Sequence, residues 1–151
     1  MAAPIALKRV DKHRNFARAF APTFRFFKHP LGKEVLLDSK TTAHLIVDAA
    51  AEKKAANILM LDVRELTTLT DYFVICEGAS ERQINAINDG ILEELKKKHN
   101  IHVYHKEGTP ESGWILLDYG HVLVHIFSPE RRAYYRLEEL WHDAPTVMKM
   151  L

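Results

Sequence analysis

The stretch GWILLDYGHVLVHIF, residues 113–127, limits the possible folds more than any other part of the chain. Two apolar runs flank Gly120-His121. Aliphatic and β-branched runs on either side of a two-residue link with glycine first specify a β-hairpin, and that glycine suits a type II′ turn. The arms are residues 114–119 and 122–127, and the short link sets their register. Tyr119 faces Val122, Leu117 faces Val124 and Ile115 faces Ile126, so one face is wholly apolar. On the other face Asp118 opposes Leu123, Leu116 opposes His125 and Trp114 opposes Phe127. Side chains alternate with period two, so a slip of one residue would exchange the faces.

A solvated face should be polar, yet the second one carries Trp114, Leu116, Leu123 and Phe127 around the polar pair Asp118 and His125. The pattern alone favours a hairpin buried on both sides with helices over each. The functional alternative is an apolar patch that receives a partner, with a few polar groups for orientation.

Upstream, Ser39 or Thr41 can cap a helix reaching about Ala56, with Leu45, Ile46, Ala49, Ala50 and Lys53 on one stripe. Asn57 ends it, and ILMLDV, residues 58–63, reads as a short buried strand. DYFVICE, residues 71–77, is a second strand, apolar on both faces and therefore central in a sheet. Gly78-Ala79-Ser80 turns the chain into a helix. Ser80 and Gln83 form a capping box, and Ile84, Ile87, Ile91, Leu92 and Leu95 make its buried stripe. Glu81 and the run Lys96, Lys97, Lys98 complement the helix dipole. His99-Asn100 stops the helix, residues 101–105 form a strand, and Gly108-Thr109-Pro110 turns into the hairpin. Ser128-Pro129 starts a last helix running to about His142, with Ala133, Leu137, Leu140 and Trp141 inward. Residues 144–151 read as a Met-rich tail. The order αββαβββα describes an α+β or mixed-sheet sandwich over residues 39–143.

The chain of 151 residues has a net charge of only +1, which hides an asymmetry. Residues 1–40 hold nine Lys/Arg against three Asp/Glu, and residues 41–151 hold twelve against seventeen. A basic arm, residues 1–38, precedes an acidic domain. The arm lacks periodicity and is broken by Pro4, Pro22 and Pro30, so it is expected to be disordered. Its phenylalanines interleave with arginines, which also suits an organelle-targeting segment or a contact with RNA phosphates. No apolar run approaches the ~20 residues of a membrane span. The lone Cys76 reads as a buried thiol in a reducing compartment.

Catalytic and metal sets are not signalled. The Gly78-Ala79-Ser80 turn resembles the Gly-Ser turn of nucleotidyltransferases, but no Asp-x-Asp is present to hold Mg²⁺. His102 and His105 alternate to opposite faces, His121 lies in the hairpin link, and no Cys pair or HExxH supports a metal centre. Ser80 and Ser128 are better employed as caps. These exclusions shift weight from an enzyme to a binding protein without cofactor or metal.

DYFVICEGASERQINAI (71–87), the acidic-glycine turn at Glu107-Gly108, GWILLDYGHVLVHIF (113–127) and RRAYYRLEELW (131–141) together resemble the Iojap family, the ribosomal silencing factors. The resemblance covers about residues 41–142. It implies an α/β fold with a mixed five-stranded sheet flanked by helices, nucleotidyltransferase-like but without the catalytic acids. It implies a non-enzymatic role: binding the large ribosomal subunit through its fourteenth ribosomal protein, blocking small-subunit joining and slowing translation when nutrients are scarce. Organelle members act in large-subunit assembly, so the implied location is a bacterial cytoplasm or an organelle matrix. The resemblance assigns the second hairpin face to the partner. Trp114 is then the anchor, Leu116 and Phe127 its surroundings and Asp118 a polar contact; Tyr119, Asp71 and Lys106 complete the expected set. A homodimer through the same patch is a further expectation. The chain departs from the family at the hairpin tip, where His121 stands in place of the usual Asp.

Overall fold

The structure, a computed structural model, describes residues 37–151. The basic arm up to residue 36, and with it the expected disorder, lies outside the described residues. The elements run α1 (Ser39–Glu52), β1 (Ala56–Asp62), β2 (Tyr72–Glu77), α2 (Glu81–His99), β3 (His105–Thr109), a 3₁₀ turn (Pro110–Ser112), β4 (Trp114–Asp118), β5 (Val122–Phe127), α3 (Pro129–Tyr135), α4 (Leu137–Leu140) and β6 (Thr146–Met150). The sheet has six strands in the order β3-β4-β5-β2-β1-β6. Only the β2–β5 pair is parallel; the other four are antiparallel.

The hairpin has the register that its short link dictates: Trp114 with Phe127, Ile115 with Ile126, Leu116 with His125, Leu117 with Val124 and Asp118 with Leu123. Its tip is a γ-turn rather than the expected type II′ turn, because the His121 N–H donates to the Tyr119 carbonyl at 3.1 Å around Gly120. Both turns need the positive φ that Gly120 adopts, +82°. The apolar hairpin face, Ile115, Leu117, Tyr119, Val122, Val124 and Ile126, joins Ile46, Val47 and Ala50 of α1 and Ile84, Ile87, Ile91 and Leu95 of α2 in one core. Ser80 caps α2 by accepting from the Gln83 N–H at 3.1 Å, and Asn100 ends it in the left-handed region.

The opposite face is buried as well. Leu61, Phe73, Ile75, Leu116, Leu123 and Phe127 lie there with Leu137 and Trp141 of the C-terminal segment, and the Trp141 ring meets Phe73 edge-on at 5.0 Å. Residues 37–151 form a three-layer sandwich with α1 and α2 on one side of the sheet and α3 and α4 on the other.

Five expected boundaries differ. The first helix stops at Glu52 rather than about Ala56, where β1 already begins. Asp38, not Ser39 or Thr41, caps α1, accepting from the Thr41 N–H at 2.6 Å. That bond holds the Asp38 carboxyl below its usual range. The third strand pairs at residues 105–109 rather than 101–105, since Ile101 and Val103 pack on the core while the ladder to β4 begins at His105. Gly108, φ +82°, is required in that ladder: a Cβ there would sit 2.0 Å from the Trp114 carbonyl oxygen. The last helix breaks at Arg136, φ +48°, into α3 and α4. Its inward stripe therefore cannot be projected through residue 136; Ala133 is exposed, and Arg132 and Tyr135 turn inward instead. Finally, Thr146–Met150 is a sixth strand, paired antiparallel with β1.

A candidate partner-binding surface

Trp114 opens β4 on the face covered by α3. Its half-buried indole lies 4.9 Å from the Phe127 ring and 4.5 Å from Tyr135, and its Nε1–H donates to Nδ1 of His125 at 3.2 Å. Tyr135 in turn meets Tyr134 edge-on at 5.0 Å, and Tyr134 is 60% exposed. A ladder of rings thus leads from the buried sheet to solvent. Serine 128 caps α3 by accepting from the Arg131 N–H at 3.2 Å, which aims this short helix across the hairpin.

α3 is tied down by charge. The Arg132 Nε donates to Glu138 at 2.5 Å, and one terminal nitrogen donates to the Asn57 carbonyl at 2.5 Å and to Glu77 at 3.4 Å. Asn57 also donates its side-chain amide to Glu77. Asn57 can aim both groups because it takes φ +48° at a register shift in β1. Arg132 and Glu77 are both largely buried, so this network is shielded from solvent.

The seven expected contact residues do not form one surface. Leu116 is 3% exposed and Phe127 0%, so both are removed from direct contact with a partner. They lie under the hairpin's own covering layer and can only support Trp114. Tyr119 is corrected too: it faces the opposite core, where its buried hydroxyl finds no hydrogen-bond partner among the described residues. Burial raises that phenol's pKa. Lys106 is exposed on the edge strand β3 but pairs opposite Leu117, which puts it on the other face from Trp114. Asp71 sits at the far loop, its carboxylate 3.5 Å from Nδ1 of His121. His121 therefore meets an acid at the tip where the family pattern carries one. Asp118 shares the face of Trp114 four residues on, about 13 Å along the strand. It is half-buried and accepts the Gly120 N–H at 2.7 Å; burial raises its pKa and that N–H opposes the rise.

What remains accessible is the margin of β3 and β4: Trp114 and Asp118, with the His105–Glu107 pair at 3.0 Å beside them and Tyr134 at the end of the ring ladder. Tyr134, Tyr135, His105 and Glu107 are not in the expected contact set. The edge-strand pair is visible only once β3 is placed at 105–109, and Tyr135 faces inward only because the helix ends at Arg136.

The Gly78-Ala79-Ser80 turn offers little to a phosphate. The Gly78 N–H donates to the Phe127 carbonyl at 2.9 Å, the Ala79 N–H to Gln83 Oε1 at 2.7 Å and the Ile84 N–H to the Ser80 carbonyl at 2.9 Å. Cys76 is buried, and its thiol is pushed up to about 12 by burial. Among the described residues no three His, Cys, Asp or Glu side chains come together to hold a metal ion, and no helix is long and apolar enough to cross a membrane.

A mixed sheet with helices on both faces, and an aromatic and acidic margin along one edge, defines an α/β domain. Residues 37–150 match the protein family described as ribosomal silencing factor during starvation. The ribosomal silencing factor RsfS of Halalkalibacterium halodurans is 38% identical over 111 residues, 74% of this chain and 94% of that one. A mouse protein named for mitochondrial assembly of the ribosomal large subunit is 31% identical over 107 residues, 70% of this chain but 47% of that one. A crystal structure of a Chromobacterium violaceum protein superposes with a TM-score of 0.67 at 30% identity, covering 70% of this chain and 88% of that one. The chain belongs to the ribosomal silencing factor family.

Proposed function

We propose that the protein binds the large ribosomal subunit, blocks joining of the small subunit and so represses translation when nutrients are scarce, without catalysing a reaction. The observation that carries this is the family match over residues 37–150, at 38% identity to a relative covered along 94% of its length. The mouse relative, named for the ribosomal large subunit, supports the choice of subunit. The direct partner is the fourteenth large-subunit ribosomal protein, and the contact is the β3–β4 margin with Trp114 as anchor and Asp118 as polar contact. The basic arm adds a salt-dependent contact to ribosomal RNA. Off the ribosome, two copies associate through the same margin.

The test is co-sedimentation of the full chain with purified large subunits, followed by addition of small subunits. Binding to large but not small subunits, with fewer joined ribosomes, is expected. Joining at the normal level with the chain bound would remove the anti-association role. The mouse relative's name favours a second reading, large-subunit assembly in an organelle, which predicts preferential binding to incomplete large subunits with no effect on joining. A nucleotidyltransferase-like activity at Gly78–Ser80 would instead appear as a saturable rise in melting temperature with ATP and Mg²⁺.

A further inference from the structure

Trp114 is held by a directed bond as well as by stacking. Its indole N–H reaches Nδ1 of His125 at 3.2 Å diagonally across the β4–β5 ladder, since Trp114 is opposed by Phe127 and His125 by Leu116. His125 is 0% exposed, with Phe73 edge-on at 5.5 Å and Phe127 stacked at 5.9 Å with 8° between the planes. Burying an imidazole on an apolar sheet face costs desolvation that Phe or Leu would not incur. Burial also pushes its pKa down to about 3, so the ring stays neutral. A neutral ring that accepts at Nδ1 carries its proton on Nε2.

We propose that His125 is a positioning residue for the partner-binding surface: its Nδ1 locks the Trp114 indole in the orientation that the partner meets. The role rests on the reading that Trp114 contacts the partner. A half-buried indole that is free to turn loses that freedom on binding; one already fixed by a hydrogen bond and two flanking rings does not. The histidine thus contributes to affinity from a position that the partner never touches.

The tautomer is measurable in the wild-type chain by ¹⁵N NMR. The Nε2–H form is expected, and the Nδ1–H form would overturn the proposal. His125→Phe keeps a ring and removes the acceptor, while His125→Gln returns an acceptor oxygen. Where denaturation midpoints match wild type, the Trp114 indole N–H should exchange faster with solvent in the Phe variant and regain protection in the Gln variant. Large-subunit binding should weaken about two- to ten-fold in the Phe variant and recover in the Gln variant. Unchanged exchange, or full binding by a folded Phe variant when Trp114→Ala has lost it, would overturn the proposal. If Trp114→Ala and His125→Phe both bind fully, the placement of the interface at Trp114 has failed, and tautomer and exchange alone decide whether the two rings are coupled. Should the Phe variant not fold, the tautomer of His125 in the wild-type chain decides: the Nε2–H form supports the proposal and the Nδ1–H form overturns it.

Discussion

On one side the sheet meets two helices of 14 and 19 residues whose inward side chains are mainly Ile, Val, Ala and Leu; on the other it meets segments of 7 and 4 residues, parted at Arg136. The first face is held by area. Ile46, Val47, Ile84, Ile87 and Ile91 are almost wholly removed from water, and the stabilisation scales with the apolar surface covered. The second face is held by a few directed contacts: Arg132 to Glu77, Glu138 and Asn57, Trp114 to His125, and the rings around Tyr135. These two short segments cover the middle of the sheet and leave the β3–β4 margin open. The contrast teaches where a binding surface can be built at low cost to the fold: on the side whose cover is short and pinned by polar bonds.

The largest effect that would break this comparison is expected from Arg132→Ala. It leaves Glu77 buried without its cation and should cost about 3–5 kcal/mol of folding stability, read by chemical denaturation. A loss under about 1 kcal/mol would mean that the charge network does not hold the second face. Next comes Trp114→Ala, expected to weaken large-subunit binding by about 2–4 kcal/mol, roughly thirty-fold to several-hundred-fold. The denaturation midpoint must be measured beside it. A midpoint near wild type with lost binding supports an interface at the open margin, whereas a collapsed midpoint makes Trp114 a core residue and removes it from the surface.

A third prediction concerns acid. The folded His125 has its pKa lowered from 6.5 to about 3 by burial. The unfolded chain therefore takes up a proton as pH falls through 6.5 while the folded one does not. The stability that this group allows is complete above 6.5 and is lost as pH falls toward 3, at a slope approaching about 1.4 kcal/mol per pH unit. Asp118, whose pKa is raised, works in the opposite direction. Denaturation curves of wild type and His125→Phe between pH 7 and 4 isolate the term: the variant should show the shallower loss. The smallest effect is on the first face, where Ser80→Ala should cost about 1 kcal/mol by removing the cap of α2. Large-subunit binding should survive wherever the domain stays folded, because Ser80 is occupied in capping α2 and is not among the margin residues Trp114, Asp118, His105 and Glu107; lost binding at an unchanged midpoint would favour a role for the Gly78–Ser80 turn.

Sequence alone determined the elements whose instructions are local. The hairpin register follows from a two-residue link and a period of two: five of the six expected pairs, Trp114–Phe127 to Asp118–Leu123, stand in the ladder, and at the sixth the Tyr119 N–H donates to the Val122 carbonyl at 3.0 Å. The cap at Ser80 and the stripe Ile84, Ile87, Ile91 and Leu95 follow from the helical period. That register also assigned Tyr119 to the apolar core face, whereas family resemblance placed it in the contact set. Only the tertiary structure decided what covers the second face. Arg136 adopts a left-handed conformation that nothing in its neighbourhood spells out, and so turns Tyr135 rather than Ala133 inward. Thr146–Met150 becomes a strand because β1 offers it an edge, a pairing across more than eighty residues of chain. Trp114, Leu116 and Phe127 look alike as apolar residues on one face, yet only Trp114 keeps part of its surface, because exposure depends on where α3 ends and not on the residues themselves.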